Sequence, residues 1–120
     1  MPQTPLYATH EQLGATFTDF GGWTMPLKYA NELDEHRAVR NGVGIFDLSH
    51  MGEITVTGPD AGAFLDYALI SNLSALNVGK AKYSMIVNEK GGILDDLITY
   101  KRSETEYLVV PNAANTDVVW

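Results

Sequence analysis

The chain has 120 residues, no cysteine and a formal net charge of −7 at neutral pH. Its 45% hydrophobic and 19% charged content is that of one ordinary globular domain, large enough to bury roughly two-thirds of its unfolded surface. The negative charge argues against a nucleic-acid or anionic-membrane binder, and the missing cysteines exclude disulfides and thiolate chemistry.

The N-terminal segment MPQTPLYATHEQLG (1–14) lacks the features of a targeting sequence. It has neither a basic start followed by an apolar stretch nor an arginine-rich, acid-poor composition. No stretch of the chain approaches the ~18 consecutive apolar residues that span a bilayer. We therefore expect a cytoplasmic protein without a membrane or nucleic-acid partner.

The first half of the chain predicts one clear helix between less regular segments. DFGGWTMPLKY (19–29) predicts an irregular segment pinned by its aromatic rings, with the glycine pair forming a turn. NELDEHRAVRNG (31–42) predicts a helix that Asn31 caps and Gly42 ends. GIFDLSHMGEITVTG (44–58) has β-type composition, with a predicted break at Met51-Gly52.

A second helix is predicted after Gly58, with Pro59 in its first turn. Apolar residues at helical spacing indicate one continuous buried face, formed by Ala61, Phe64, Leu65, Ala68 and Leu69. The last residues, NAANTDVVW (112–120), predict a cap and the first turn of a further helix. Because the chain ends on an apolar group there, we expect it to be a fragment of a longer protein.

From Lys80 onward the pattern is that of an antiparallel meander. KAKYSMIVN (80–88) and GILDDLITYKR (92–102) flank a hairpin-type turn, and TEYLVVPN (105–112) follows as a third strand. Two or three helices followed by such strands indicate an α+β fold with a meander or Greek-key-like antiparallel sheet.

Two adjacent carboxylates, Asp95 and Asp96, interrupt the apolar second strand of this meander. Successive strand residues point to opposite faces, so one acid must share a face with Ile98 and Tyr100. An ionised carboxylate buried there is costly unless a partner satisfies it. The strand therefore raises the question of whether that partner belongs to the fold or to a ligand.

Turn lengths of four and three residues would pair Tyr83 with Ile98, and Asp96 with both Met85 and Asn112. This register predicts an apolar, aromatic face with one acid and one amide, formed by Tyr83, Met85, Leu94, Asp96, Ile98, Tyr100, Leu108, Val110 and Asn112. Such a face suits a flat heteroaromatic ligand with N–H donors. The alternative is that Asp96 is satisfied by Asn112 or a backbone amide and has no further role. On either reading, Asp95 is expected to serve the fold or the solvent face.

The remaining candidates carry weaker signals. The three histidines, His10, His36 and His50, show no ligand spacing relative to the acids, so no metal site is predicted. His50, within LSHMGE, is either a structural histidine at a strand bend or a general base. Lys80 and Lys82 either protect a sheet edge or meet an anionic ligand tail.

Six motifs occur in a fixed order along nearly the whole chain: TPLY…H (4–10), DFGGW.MP..Y (19–29), EHRAVRN..G.FDLSHMGE (35–53), GPDA..FL (58–65), GKAKYS…N..GGILDDLITY (79–100) and PNAAN (111–115). Together they resemble the N-terminal third of the aminomethyltransferases, the T-proteins of the glycine cleavage system. The resemblance implies three domains in a cloverleaf around a tetrahydrofolate pocket. Residues 1–120 would be the opening part of the first, folate-binding domain.

The resemblance also implies a reaction, for which this chain alone is expected to be insufficient. An aminomethyl group on the lipoyl arm of H-protein passes to tetrahydrofolate, giving 5,10-methylenetetrahydrofolate, ammonia and the dihydrolipoyl carrier. Asp96 matches the family's key acid, which sits near the N5/N10 edge of the folate and assists proton movement. The positions matching the folate pocket are Met51, Thr55, Tyr83, Asp96, Ile98, Tyr100, Val110 and Asn112. No metal is implied.

Departures from the family pattern are small, but other functions remain open. Leu48 stands where valine is commoner, and Pro111 removes a backbone donor beside Asn112, which puts the local strand pairing in doubt. One alternative is the folate domain of a dimethylglycine or sarcosine dehydrogenase. Another is a non-enzymatic folate-binding protein that assists iron–sulfur cluster maturation, and a third is a fragment without a ligand. An exposed apolar surface on such a fragment would favour self-association.

Overall fold

The computed structural model describes all 120 residues, which divide into two compact units, Met1–His50 (unit 1) and Met51–Trp120 (unit 2). Unit 1 contains α1 (Tyr7–Gln12), β1 (Thr16–Phe20), β2 (Trp23–Lys28) and α2 (Glu32–Asn41). Unit 2 contains β3 (Ile54–Thr57), α3 (Ala61–Ala68), β4 (Ala81–Val87), β5 (Ile93–Ser103), β6 (Glu106–Pro111), a 3-10 turn (Ala113–Asn115) and α4 (Thr116–Val119). The predicted α+β class is confirmed. None of the helices has the length and apolar character that crossing a membrane requires.

In unit 1, β1 and β2 form an antiparallel hairpin, so the prediction of an irregular segment over 19–29 is wrong. Gly21 and Gly22, in the connecting turn, have φ of +59° and +87°, values that favour glycine. Two such residues in succession suit the tight turn of a two-residue hairpin, whose twist matches that of the strands it joins. The glycine pair was therefore the informative signal.

The helix predicted over 31–42 is present as α2. The Asn31 side chain accepts a hydrogen bond from the Leu33 backbone N–H at 2.9 Å, and Gly42 follows the last turn. Helix α1 was not predicted. The β-type prediction for 44–58 is wrong over 44–53, which pairs with no strand, and correct for β3.

The sheet of unit 2 has the antiparallel strand order β3-β6-β5-β4. Strands β4, β5 and β6 form the predicted meander, and the predicted pairing of Ile98 with Tyr83 and Val110 is confirmed. The turns differ from the prediction, because the ladder shifts by one residue after Ile86 and again before Ser103, which pairs with Glu106. These two bulges absorb the difference in loop length, so the predicted face assignments hold for the paired residues between them, whereas Leu94 lies in the first bulge without a partner.

The hydrophobic core of unit 2 lies between α3 and one face of this sheet. Its buried members are Ala61, Leu65, Leu69, Leu73, Leu97, Tyr107 and Val109. Phe64, predicted to be buried with them, is 56% exposed. Phe64 lines a cavity of about 80 Å³ between α3 and the sheet, so the apolar face of this short helix is only partly covered.

Candidate functional site

The face of the unit 2 sheet opposite the core is the candidate site, and we call it the open face. Directly paired residues of an antiparallel sheet share a face, so the ladder places a group of side chains together there. They include Thr55, Tyr83, Met85, Asp96, Ile98, Tyr100, Leu108 and Val110. Tyr83 is 56% and Tyr100 43% exposed, which leaves two aromatic rings free for contact with a flat ligand.

Asp96 is the acidic group of the open face, and both of its carboxylate oxygens are engaged. The Asn112 amide donates to Oδ1 at 3.1 Å, and the Tyr83 hydroxyl donates to Oδ2. Asp96 itself is only half-buried. Held from both sides and still reachable, this carboxylate has the fixed orientation that proton transfer to a bound ligand requires.

Asp95 points to the opposite, core face and is the buried acid of the pair, at 3% exposure. It accepts hydrogen bonds from the Asn112 backbone N–H at 2.9 Å and from the side-chain amides of Asn112 and Asn115 at 3.0 and 2.7 Å. Burial acts to raise the pKa of Asp95, but these donors outweigh it and hold the pKa below its ordinary value. The expectation that Asp95 serves the fold therefore agrees with its contacts, and the alternative of a solvent face is wrong.

Asn112 serves both acids, whereas the sequence assigned it to Asp96 alone. Its side-chain nitrogen lies within hydrogen-bond distance of Asp95 Oδ1, Asp96 Oδ1 and the Asp96 carbonyl oxygen, the last at 2.8 Å. Pro111 does not disturb this arrangement. It pairs with Leu97 at the end of β6, and its carbonyl accepts from the Gly52 N–H at 3.3 Å.

The structure brings together most, but not all, of the predicted site residues. Asn112 directly follows β6 and reaches the open-face acid. Met51 is half-buried in the segment before β3 and belongs to no strand. Asn115 was missed, because a contact with Asp95 made 20 residues along the chain leaves no periodic signal. No group of three His, Asp or Glu side chains gathers as a metal site would need.

Unit 1 contains a second polar cluster that sequence reasoning did not find. His10, 6% exposed, lies between the Tyr29 hydroxyl on Nδ1 and the Asp47 carboxylate on Nε2, each at 2.8 Å. Burial alone would raise the pKa of Asp47, but hydrogen bonds from Ser49 and His10 hold it well below its usual range. An ionised carboxylate can only accept, so Nε2 of His10 carries the proton.

His50 lies in unit 1 beside Phe20 and Trp23, with ring centroids 5.8 and 6.3 Å away. It is 8% exposed, and its Nδ1 is buried without a hydrogen-bond partner. It lines a mainly apolar cavity of about 410 Å³ together with Tyr29 and Asp47. The ring makes no side-chain hydrogen bond and packs against two aromatic rings, which are the surroundings of a structural histidine.

Fold and open face together define an α+β domain that presents a positioned carboxylate on an aromatic sheet face. The profile of the GCVT N-terminal domain matches residues 6–120, and the chain belongs to this family.

Similar proteins are aminomethyltransferases. The chain is 70% identical over 117 residues to the aminomethyltransferase of Corynebacterium aurimucosum, covering 98% of this chain and 32% of that protein. It is 61% identical over 117 residues to that of Saccharopolyspora erythraea, with the same coverage. The crystal structure of glycine cleavage system aminomethyltransferase T from Bartonella henselae superposes with a TM-score of 0.86 at 42% identity, over 97% of this chain and 32% of that one. The chain thus spans about a third of the length of these relatives.

Proposed function

We propose that the chain supplies the folate-facing part of a tetrahydrofolate-dependent aminomethyltransferase of the glycine cleavage system. The observation that carries this proposal is the position of Asp96 on the open face, held by Asn112 and Tyr83 and flanked by exposed aromatic rings. Residues 1–120 form the N-terminal part of the folate-binding domain. The family and the relatives named above support the reaction class.

In this proposal the substrate is the aminomethyl group carried by lipoylated H-protein, and the acceptor is tetrahydrofolate. The pterin ring lies against the aromatic rings of Tyr83 and Tyr100, with Ile98 and Val110 beneath it. Asp96 orients the N5/N10 edge and accepts or returns a proton as the methylene carbon forms bonds to N5 and N10. The bonds from that carbon to the lipoyl sulfur and to the amino nitrogen break, and the dihydrolipoyl thiol and ammonia leave. A positioned acid–base group of this kind contributes about 10²–10⁴-fold in rate. Met51, Thr55 and Asn112 border the ring, and no metal takes part.

Equilibrium folate binding tests the proposed role of the open face. A chimera in which this chain replaces the matching third of the Corynebacterium aurimucosum aminomethyltransferase would be titrated with 5-formyltetrahydrofolate by calorimetry. Tyr100→Ala removes one ring from the open face and is expected to weaken binding about 5- to 100-fold, the range for loss of one stacking aromatic.

Tyr67→Ala is the matched control, because Tyr67 is 92% exposed on α3 and lies outside the open face. We expect this variant to bind like the unmodified chimera. Equal weakening by the two substitutions, or no folate binding by the unmodified chimera, would contradict the proposed function.

A further inference from the structure

Asp96 lies on the open face, and Asp95 lies on the core face. The two carboxylates are connected through Asn112, which donates a hydrogen bond to each of them. The Asn112 side-chain nitrogen has two hydrogens and three acceptors within 3.1 Å, namely Asp95 Oδ1, Asp96 Oδ1 and the Asp96 carbonyl. One hydrogen is therefore shared. None of these bonds uses the Asn112 side-chain oxygen, so the three acceptors fix which end of the amide faces the two acids.

Of the two carboxylates that contact Asn112, Asp95 is held more firmly. Asp95 is buried and accepts two hydrogen bonds from Asn112, one from the backbone N–H and one from the side-chain amide. Asn115 adds a third donor at 2.7 Å and holds the same carboxylate from the following turn. Asp96, in contrast, is half-buried and its other oxygen rests on Tyr83, an exposed side chain. The buried acid is the fixed end of this chain of hydrogen bonds.

We propose that Asp95 is a positioning residue for Asp96: its buried carboxylate holds the Asn112 amide so that the amide donates to Asp96 and fixes the orientation of that carboxylate on the open face. The inference rests on the proposed function for its consequence, folate binding, but not for the hydrogen-bond chain itself. It explains why the strand carries two adjacent acids. A strand sends neighbours to opposite faces, and Asn112, at the end of the next strand, reaches both.

Asp66 provides a matched control in the same unit. It also accepts several hydrogen bonds, from the Leu73 and Ser74 backbone N–H groups and the Ser74 hydroxyl, and these lower its pKa against the effect of burial. It makes no hydrogen bond to Asn112, Asn115 or Asp96. Asp66→Asn therefore reproduces the loss of a hydrogen-bonded carboxylate without touching the proposed chain.

The first test is spectroscopic and needs no ligand. In the unmodified 120-residue chain, NMR is expected to show couplings through the hydrogen bonds from both Asn112 nitrogens to the Asp95 carboxyl carbon. Hydrogen exchange of the Asn112 side-chain amide should accelerate at least tenfold in Asp95→Asn and stay unchanged in Asp66→Asn. Absent couplings, or an Asn112 amide equally protected in Asp95→Asn, would overturn the proposal. If Asp95→Asn does not fold, couplings in the unmodified chain from the Asn112 side-chain nitrogen to the carboxyl carbons of both Asp95 and Asp96 still support the proposal, and the absence of either overturns it.

The second test links the chain of bonds to the ligand. In the chimera, Asp95→Asn is expected to weaken 5-formyltetrahydrofolate binding about 10- to 100-fold, the range for losing one hydrogen bond to a charged group. Asp66→Asn should leave binding unchanged. Equal binding by Asp95→Asn and the unmodified chimera would overturn the positioning role. If the unmodified chimera does not bind folate, the proposed function fails, and the Asn112 spectra still decide whether Asp95 holds the amide.

Discussion

At the scale of single residues, adjacent aspartates have opposite environments. Asp95 accepts three hydrogen bonds within the core-side network, while Asp96 keeps its carboxylate on the open face. Burial acts to raise the pKa of Asp95, but the hydrogen bonds from Asn115 and Asn112 favour the ionised carboxylate and lower its pKa overall. The sequence predicts that the two acids differ, since strand periodicity separates them, but their partners come from Asn112 and Asn115 and are set by the tertiary fold.

The lowered pKa of Asp95 predicts acid sensitivity. A carboxyl group whose pKa is lower when folded than unfolded stabilises the fold above the unfolded value of about 3.9, and that stabilisation is lost as pH falls through the folded value. Urea unfolding measured from pH 6 downward should show Asp95→Asn already less stable at pH 6. The difference in free energy of unfolding between Asp95→Asn and the unmodified chain should become smaller below about pH 4. A difference that stays constant with pH would contradict the assigned hydrogen bonds.

At the scale of elements, the features that depend on residues close in sequence could be predicted, and those that depend on residues distant in sequence could not. Helix α2 and the β4-β5-β6 register follow from local capping and from alternation, both readable in sequence. The unpaired segment 44–53, the exposed Phe64 and the His10–Asp47 contact depend on neighbours distant in the chain. The open face was predicted from pairing, and the family resemblance added Met51 and Thr55. The division of Asn112 between two acids was not predicted.

The backbone of Gly52 lies close to Pro111 of β6 and Thr116 of α4, and a substitution there tests this packing. A Cβ at residue 52 would lie 2.5 Å from the Thr116 hydroxyl oxygen and 2.9 Å from Pro111 Cγ. We expect Gly52→Ala to lower the free energy of unfolding by about 1–3 kcal/mol, the usual cost of overpacking. Thr116→Ala in the same chain should recover part of that loss in thermal unfolding. Strictly additive effects of the two substitutions would contradict the close contact.

At the scale of the whole molecule, the chain exposes apolar side chains that a soluble domain rarely leaves free. In unit 1, Val43 is 87%, Ile45 99% and Phe46 69% exposed. These three side chains are left largely uncovered within the 120 residues. Exposed apolar side chains that are close in sequence favour association between copies where they form a patch.

Self-association of the chain is therefore expected. Sedimentation velocity should show a concentration-dependent increase in mass, which Ile45→Glu reduces by placing a charge in the apolar segment. Tyr67→Glu, at a 92% exposed position of α3, is the control and should associate like the unmodified chain. A monomer at all concentrations, or equal behaviour of the two variants, would show that residues 43–46 do not mediate contact.

In the proposed function, Asp96 is the carboxylate that moves a proton during folate-dependent aminomethyl transfer. The most direct measurement is the turnover of the chimera with aminomethylated H-protein and tetrahydrofolate, compared among the unmodified form, Asp96→Asn and Asp66→Asn. We expect activity in the unmodified and Asp66→Asn forms, and a loss of about 10²–10⁴-fold in kcat for Asp96→Asn, with the fold intact by circular dichroism. Undiminished kcat in Asp96→Asn would contradict the proposed role of Asp96.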